Sequence, residues 1–324
     1  MSKGETAVSS RRGAKPRIGL SADWGFHAGE LAVQQRAGVR AEAARLEPML
    51  EPGELGGGFA QFLAERTFAV LSARDGLGRL WASPLVGPAG FMAVDSPTSL
   101  LISASISDGD PLLGLPSGQP VGMIALEFAL RRRVRLNGVL TEAGPGRLVI
   151  QVREAYGNCP QYIQQRVLRL DERTAGKPRA FREAAAFSAA DADLIRRADT
   201  FFLGTTHPGR GNDASHRGGA PGFVRVEGNQ LWWPDYRGNN MFNSFGNLAV
   251  DPEAALLFID FGTGSTLHLS GTASVEWEQL GNPGDDDGTG RRARFSLERL
   301  VAGHALPAHE IAHASYPRNP TVAG

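Results

Sequence analysis

Two short stretches hold residues whose types and spacing could do chemistry. The first, WWPDYRGNNMFNSFGNLAVDP at 232–252, holds Arg237, Asn239, Asn240, Asn243, Ser244 and Asn247. It breaks at Pro234-Asp235 and closes on Asp251-Pro252 before the apolar run AALLFIDF. A loop and helix start loaded with amides, a hydroxyl and one arginine suits a phosphate. Guanidinium offers paired donors, amides donate without adding charge, and a helix N-terminus adds backbone N–H groups. The same composition also suits a hydrogen-bonded turn capping the end of a barrel. Both readings stand on chemistry alone.

The second stretch, DASHRGGAPGF at 213–223, ends a strand-like run on Ser215, His216 and Arg217. Its glycines allow close backbone approach to a planar ligand. His216 reads either as a ligand donor and proton carrier or as a solvated hairpin residue. No acidic partner at triad-like spacing accompanies it, so nucleophilic catalysis of the Ser-His-Asp type is not expected. HEIAH at 309–313 matches a zincin pattern, but no third ligand follows it and little core surrounds it, so no metal is expected. Arg131-Arg132-Arg133 reads as an anion site or, on balance, as a solvated strand end.

The elements that must position these residues are mostly strands. The chain has 324 residues, with 41 glycines, 20 prolines and many short apolar runs, which together indicate turn-rich β structure. Residues 1–20 read as a disordered leader, followed by a helix over 28–45 and another over 58–65. Strands are expected at 68–72, 80–86, 100–104, 121–128, 134–140 and 148–154, with a hairpin turn at RDGLGR, 74–79. Residues 171–190 read as a linker, and Ser188 as the N-cap of a helix reaching Arg197. Further strands are expected at 201–205, 223–226, 230–233, 254–261, 266–269 and 273–277. An exposed loop follows at 281–290, then a short strand or helix at 295–300 and a tail with little to bury. The domain reading is thus a first barrel with helical lead-in at 21–170, a second at 191–305 and a tail at 306–324.

The two β sets repeat. Thr67-Phe68 aligns with Thr200-Phe201, ASPLVGPAGF at 82–91 with ASHRGGAPGF at 214–223, and VRLNG at 134–138 with LHLSG at 267–271, at a near-constant offset. Duplication into a pseudo-dimer within one chain is the expected meaning, and a further homodimer is compatible with it.

Composition bounds the function. Formal net charge is +0, from 34 basic and 34 acidic residues, which argues against a nucleic-acid partner. The single cysteine, Cys159, excludes an intrachain disulfide and cysteine-based clusters, and suits a reducing cytoplasmic setting. No signal-peptide core or membrane-spanning apolar run is read, so no membrane association is expected. YGNCPQYIQ at 156–164 is expected to be structural, setting Tyr162 and Ile163 against the other half.

The stretch from SHRGGAPGF through WWPDYRGNNMFNSFGNLAVDP to LHLSG resembles the pyridoxamine 5'-phosphate oxidase-like family of FMN-binding split barrels, in its tandem-barrel subgroup. The resemblance rests on Pro221-Gly222-Phe223, Pro234-Asp235, Gly238-Asn239, Asn243, Asn247 and Asp251-Pro252. It covers about 200–277 closely and the first half more weakly, through FHAGELAVQQRAGV and YGNCPQYIQ. It implies a mainly β fold with flanking helices, two tandem split β-barrels, and FMN held chiefly by the second half. The implied cofactor contacts are Ser215, Arg217, Trp233, Asp235, Arg237, Asn239, Asn240 and Asn243. Asn243-Ser244 stands where the oxidase subgroup has basic residues, a departure from true pyridoxamine phosphate oxidase activity. The segment ASISDGDPLLGLPSGQP of the first half has no arginine and reads as structural. The function implied is an FMN-dependent oxidoreductase acting on a small-molecule substrate, with no catalytic residue assigned. The alternatives are a non-enzymatic flavin or heme binder, or a partner subunit of a separate reductase; deazaflavin could replace FMN.

Overall fold

The structure is a computed structural model that describes residues 24–51, 54–170, 181–277, 287–304 and 306–322. The expected leader, half of the expected linker and most of the 281–290 loop lie outside the described residues.

The lead-in helices are α1 (Ala28–Arg36), α2 (Arg40–Ala44), a 3-10 turn at Glu47–Leu50, and α3 (Gly57–Ala64). The single helix expected over 28–45 breaks because Gly38 adopts φ +70° between its two pieces. Seven antiparallel strands follow: β1 (Phe68–Arg74), β2 (Leu80–Val86), β3 (Met92–Ser96), β4 (Ser99–Ile102), β5 (Gln119–Glu127), β6 (Arg132–Gly144) and β7 (Arg147–Gly157). Asp75 closes the β1–β2 hairpin, its Oδ1 accepting from the Leu77 and Arg79 amides at 2.8 and 2.9 Å. β8 (Gln165–Leu170) and β9 (Arg182–Ala184) lead to α4 (Ala189–Arg197), which Ser188 caps reciprocally with Asp191. The second set is β10 (Thr200–His207), β11 (Gly211–Gly218), β12 (Arg225–Glu227), β13 (Gln230–Pro234), α5 (Asn243–Val250), β14 (Glu253–Asp260), β15 (Ser265–Trp277), β16 (Arg291–Gly303) and β17 (Ala308–Ala314).

The first sheet runs β2-β1-β5-β6-β7-β4-β3 and the second β11-β10-β14-β15-β16-β13-β12, with β9 attached to β16. Adding nine to each strand number converts one order into the other. The chain is thus mainly β, built as two split-barrel sheets in tandem. The strands expected at 266–269 and 273–277 are one strand, β15, with a bulge between Ser270 and Gly271 that lets the ladder continue.

Both faces of the central strands are buried, which accounts for apolar runs without alternation. In β1, Ala69, Leu71 and Ala73 enter the first barrel's core, while Phe68 and Val70 point the other way. In β10, Phe201 and Leu203 enter the second core, while Phe202 faces back. Phe68, Val70, Ile124, Phe128, Phe202, Leu257 and Phe261 belong to one apolar cluster shared by the two sheets.

The sheets approach closely where β5 meets β11. A Cβ on Gly122 would lie 2.5 Å from Asp213 Cα and 2.6 Å from its carbonyl carbon, both backbone atoms that cannot rotate away. Gly122→Ala is therefore expected to cost roughly 1–3 kcal/mol by overpacking, read as a lower urea midpoint. An unchanged midpoint would mean the sheets do not meet at this distance.

Over its described residues, 306–322, the C-terminal segment is not the unburied tail that its sequence suggests. β17 pairs antiparallel with β8, and Leu306 and Ala308 enter the shared core. An open strand at 165–170 offers a row of backbone groups that another strand satisfies. On a strand, His309 and His313 stand about 13 Å apart, too far to share a metal; His313 Nε2 lies 2.9 Å from Asp199 Oδ2. No helix among the described residues is long and apolar enough to cross a membrane.

Candidate functional site

Where the two sheets meet, a cavity of about 830 Å³ including its mouth opens between the ends of β6, β11 and β13, the start of α5, and the loop after β7. Of the residues the resemblance implies, Arg217, Trp233, Asp235, Asn239, Asn240 and Asn243 line it. Ser215 lies under its floor, in a chain of contacts: Ser215 Oγ to Ser244 Oγ at 3.1 Å, Ser244 Oγ to Asp213 Oδ2 at 3.2 Å, and Asp213 Oδ2 to Arg135 Nη1 at 3.1 Å. Arg237 is exposed and turned away, its Nε donating to the Asp287 carbonyl at 3.3 Å. Its own carbonyl accepts from Tyr162 Oη at 2.9 Å.

The second half supplies most of the cavity wall, but not all of it. Arg133, Arg135, Asn158, Cys159, Gln161 and Tyr162 reach it from the first. The arginine run at 131–133 is not simply a solvated strand end, because β6 crosses at the sheet interface. Arg131 Nε donates to the Ile163 carbonyl at 3.0 Å, and Arg133 Nη1 reaches His216 Nδ1 at 2.9 Å. Residues 133 and 135 share a face by the two-residue period of a strand, a signal already present in RRRVRLNG. Tyr162 packs at 5.1 Å on Tyr236 and 5.6 Å on Tyr316, and Ile163 enters the shared core.

The electrostatics are one-sided. Four guanidinium groups gather at this cavity: Arg133, Arg135, Arg217 and Arg291. Asp213 pairs with Arg135, and Asp235 takes both Arg217 at 3.4 Å and Arg291 at 2.9 Å. Two positive charges are left over among the described residues, and Arg133 has no carboxylate partner there. Burial first, and then the neighbouring Arg135, pull Arg133 down to a pKa of about 9. Asp235, implied as a cofactor contact, lines the cavity and pairs there with Arg217 and Arg291; as a carboxylate it offers acceptors only.

His216 is fixed in one tautomer. A guanidinium only donates, so Nδ1 accepts from Arg133 and Nε2 carries the hydrogen. Burial, with Arg133 the next cause, holds the imidazole well below its ordinary pKa, so it is neutral. Its Nε2 has no partner, and neither do Arg133 Nε, Arg217 Nε and Trp233 Nε1; all are buried and belong to residues lining the cavity. Unpaired buried donors are costly, and these four belong to residues of one cavity wall.

The start of α5 adds to this. Asn240 and Phe242 sit at φ +63° and +60°, left-handed conformations that non-glycine residues adopt at a cost, and α5 has no side-chain cap. Asn243 Nδ2 donates to Glu30 Oε1 of α1 at 2.6 Å, so it ties the helix start to the lead-in. Aromatic walls come from Phe223, Trp233, Tyr236, Phe242 and Phe245.

Residues 187–282 match the family described as Pyridoxamine 5'-phosphate oxidase. No curated protein matches the chain. Among solved structures, HupZ from Group A Streptococcus is similar at 14% identity, over 35% of this chain and 91% of that one, with TM-score 0.28. A Clostridium acetobutylicum protein related to general stress protein 26 of B. subtilis, of the pyridoxinephosphate oxidase family, is 14% identical over 39% and 92%, with TM-score 0.26. An FAD binding protein from Mycobacterium smegmatis is 11% identical over 38% and 98%, with TM-score 0.26. The match falls on residues 187–282, which carry α4, α5, β10–β15 and most of the cavity wall, so this part of the chain is similar to the pyridoxamine 5'-phosphate oxidase family.

Proposed function

We propose that the chain is a flavin-nucleotide-dependent oxidoreductase that holds the phosphate of FMN in the basic cavity between its two barrels. The observation that carries this is the set of unpaired buried donors on Arg133, Arg217, His216 and Trp233, beside two uncompensated positive charges. A phosphate monoester brings about two negative charges at neutral pH and acceptor oxygens for those donors. The residues present therefore fit the group that the fold family implies.

When bound, the flavin would supply the redox chemistry, and the protein would bind and orient it. Arg133 and Arg217 would hold the phosphate, with Asp235 and Asp213 fixing the arginines in place. The aromatic walls would exclude water from the ring. Neutral His216 would donate from Nε2 to an acceptor without taking up a proton. The matching strand orders support reading the chain as a duplicated barrel whose halves make one site. The second barrel supplies most of the wall and the first supplies Arg133 and Arg135.

Titration with FMN and with riboflavin, followed by quenching of flavin fluorescence, tests the reading. FMN is expected to bind at least 100-fold more tightly, because only it carries the phosphate. Equal affinities would place the phosphate outside the cavity, and no binding of either would end the flavin reading. Arg237→Ala, at the exposed arginine, is expected to leave the FMN dissociation constant within twofold. A tenfold loss would show that the 234–244 loop closes over the ligand.

A further inference from the structure

A second cleft, of about 1580 Å³ including its wide mouth, opens beside the basic cavity. The 3-10 turn Glu47–Leu50 and α3 form one wall, and the start of β6 forms the other. Leu46, Met49, Phe59, Phe62, Val134 and Met241 line it. Met49 and Leu130 stand at it with 39% and 64% of their surface exposed, unusual for large apolar side chains in contact with water. Four residues, Arg133, Asn158, Cys159 and Asn239, belong to both linings, so the two spaces share a wall.

The shared wall offers donors. Asn158 Oδ1 already accepts from Asn239 Nδ2 at 3.1 Å, which leaves the buried Asn158 Nδ2 without a partner beside the unpaired Arg133 Nε. Away from that wall, the polar side chains lining the cleft are Arg131, which is tied to Ile163 and Gln165, and the exposed Arg132. A flavin ring carries two carbonyls and an N–H along one edge, and an apolar wall cannot satisfy them. The cleft suits a different molecule.

We infer that this cleft is the substrate site. It takes a bulky, largely apolar small molecule with one polar acceptor end, a carbonyl or an anionic oxygen, seated with that end on Asn158 Nδ2. That the occupant is a substrate rests on the flavin reading; the cleft as a binding site does not.

The probe is 8-anilinonaphthalene-1-sulfonate, an apolar bicycle with one anionic group, with the neutral N-phenyl-1-naphthylamine as its comparison. The sulfonate is expected to bind one per chain, with and without FMN, and at least fivefold more tightly than the neutral probe. Met49→Glu and Leu130→Glu, both at exposed positions, are each expected to weaken it at least tenfold while FMN affinity stays within twofold. Asn158→Leu is expected to make the two probes bind alike. Probe affinity indifferent to both glutamates would overturn the inference. So would competition between FMN and the probe, which would make the cleft the flavin's own. If FMN fails to bind while the probe keeps its sensitivity to the glutamates, the cleft stands and the flavin reading alone falls.

Discussion

Arg133→Met is expected to weaken FMN binding by roughly 10- to 150-fold, the scale of a charge-assisted hydrogen bond at about 1.5–3 kcal/mol. The ligand-free protein should nevertheless keep its melting temperature to within a few degrees. Arg133 is a buried cation without a carboxylate partner among the described residues, and burial has already lowered its pKa to about 9. Removing it relieves that desolvation while losing the hydrogen bond to His216 Nδ1. The two effects oppose each other in stability but not in binding. Isothermal titration with FMN and a thermal melt of the same sample read both. A variant that melts far lower, with binding lost in proportion, would make Arg133 a structural residue and not a ligand-holding one.

Glu30→Gln is expected to stabilise the protein at pH 8 by about 2–4 kcal/mol, and to do little at pH 5. Glu30 is 3% exposed. Burial, the largest cause, lifts its pKa to about 8. Hydrogen bonds from the His27 amide at 2.8 Å and from Asn243 Nδ2 at 2.6 Å offset this only in part. The folded state therefore keeps a proton that the unfolded chain releases near pH 4.5. Its contribution is fully present below pH 4.5 and is lost as pH rises towards 8. His27, lowered to about 4 chiefly by burial, works in the opposite sense: its folded state stays neutral, so stability is gained as pH rises from 4 to 6.5. The two windows overlap between about 4.5 and 6.5, so Glu30 shows most clearly between 6.5 and 8. Urea unfolding at pH 5, 6.5 and 8 reads it. Parallel pH profiles for wild type and variant would show that the carboxyl is ionised in the fold.

The second half was legible because its signals are local. A Pro-Asp strand end, an amide-rich loop and a PGF turn dictate backbone geometry within a few residues, and six of the eight implied contacts line one cavity. That Arg237 does not line the cavity was not legible, because sequence gives no direction to a side chain in an irregular loop; here it turns to the Asp287 carbonyl. Arg133 and Arg135 were missed for the opposite reason. Their alternation on β6 was visible, but what lies over that face depends on β11, about 80 residues away, with Arg133 bonded to His216 and Arg135 to Asp213. The shared core hid similarly: an unbroken apolar strand reports two buried faces without saying what covers the second. β17 carries a weak pattern of its own, and becomes a strand because β8 offers it an edge.

That β8–β17 ribbon has a consequence for how the molecule is made. Residues 165–170 leave the ribosome early, yet their pairing partner at 308–314 emerges some 140 residues later, about 7–30 s at ordinary synthesis rates. The first sheet has all its strands by Gly157 and can form its ladder while translation continues. β8 stays unpaired over that interval, and the apolar face bearing Phe68 and Val70 stays uncovered until the second sheet is made. The nascent first half is thus a natural client for a chaperone, and a pause in translation between the two sheets would lengthen its exposure without changing the finished protein.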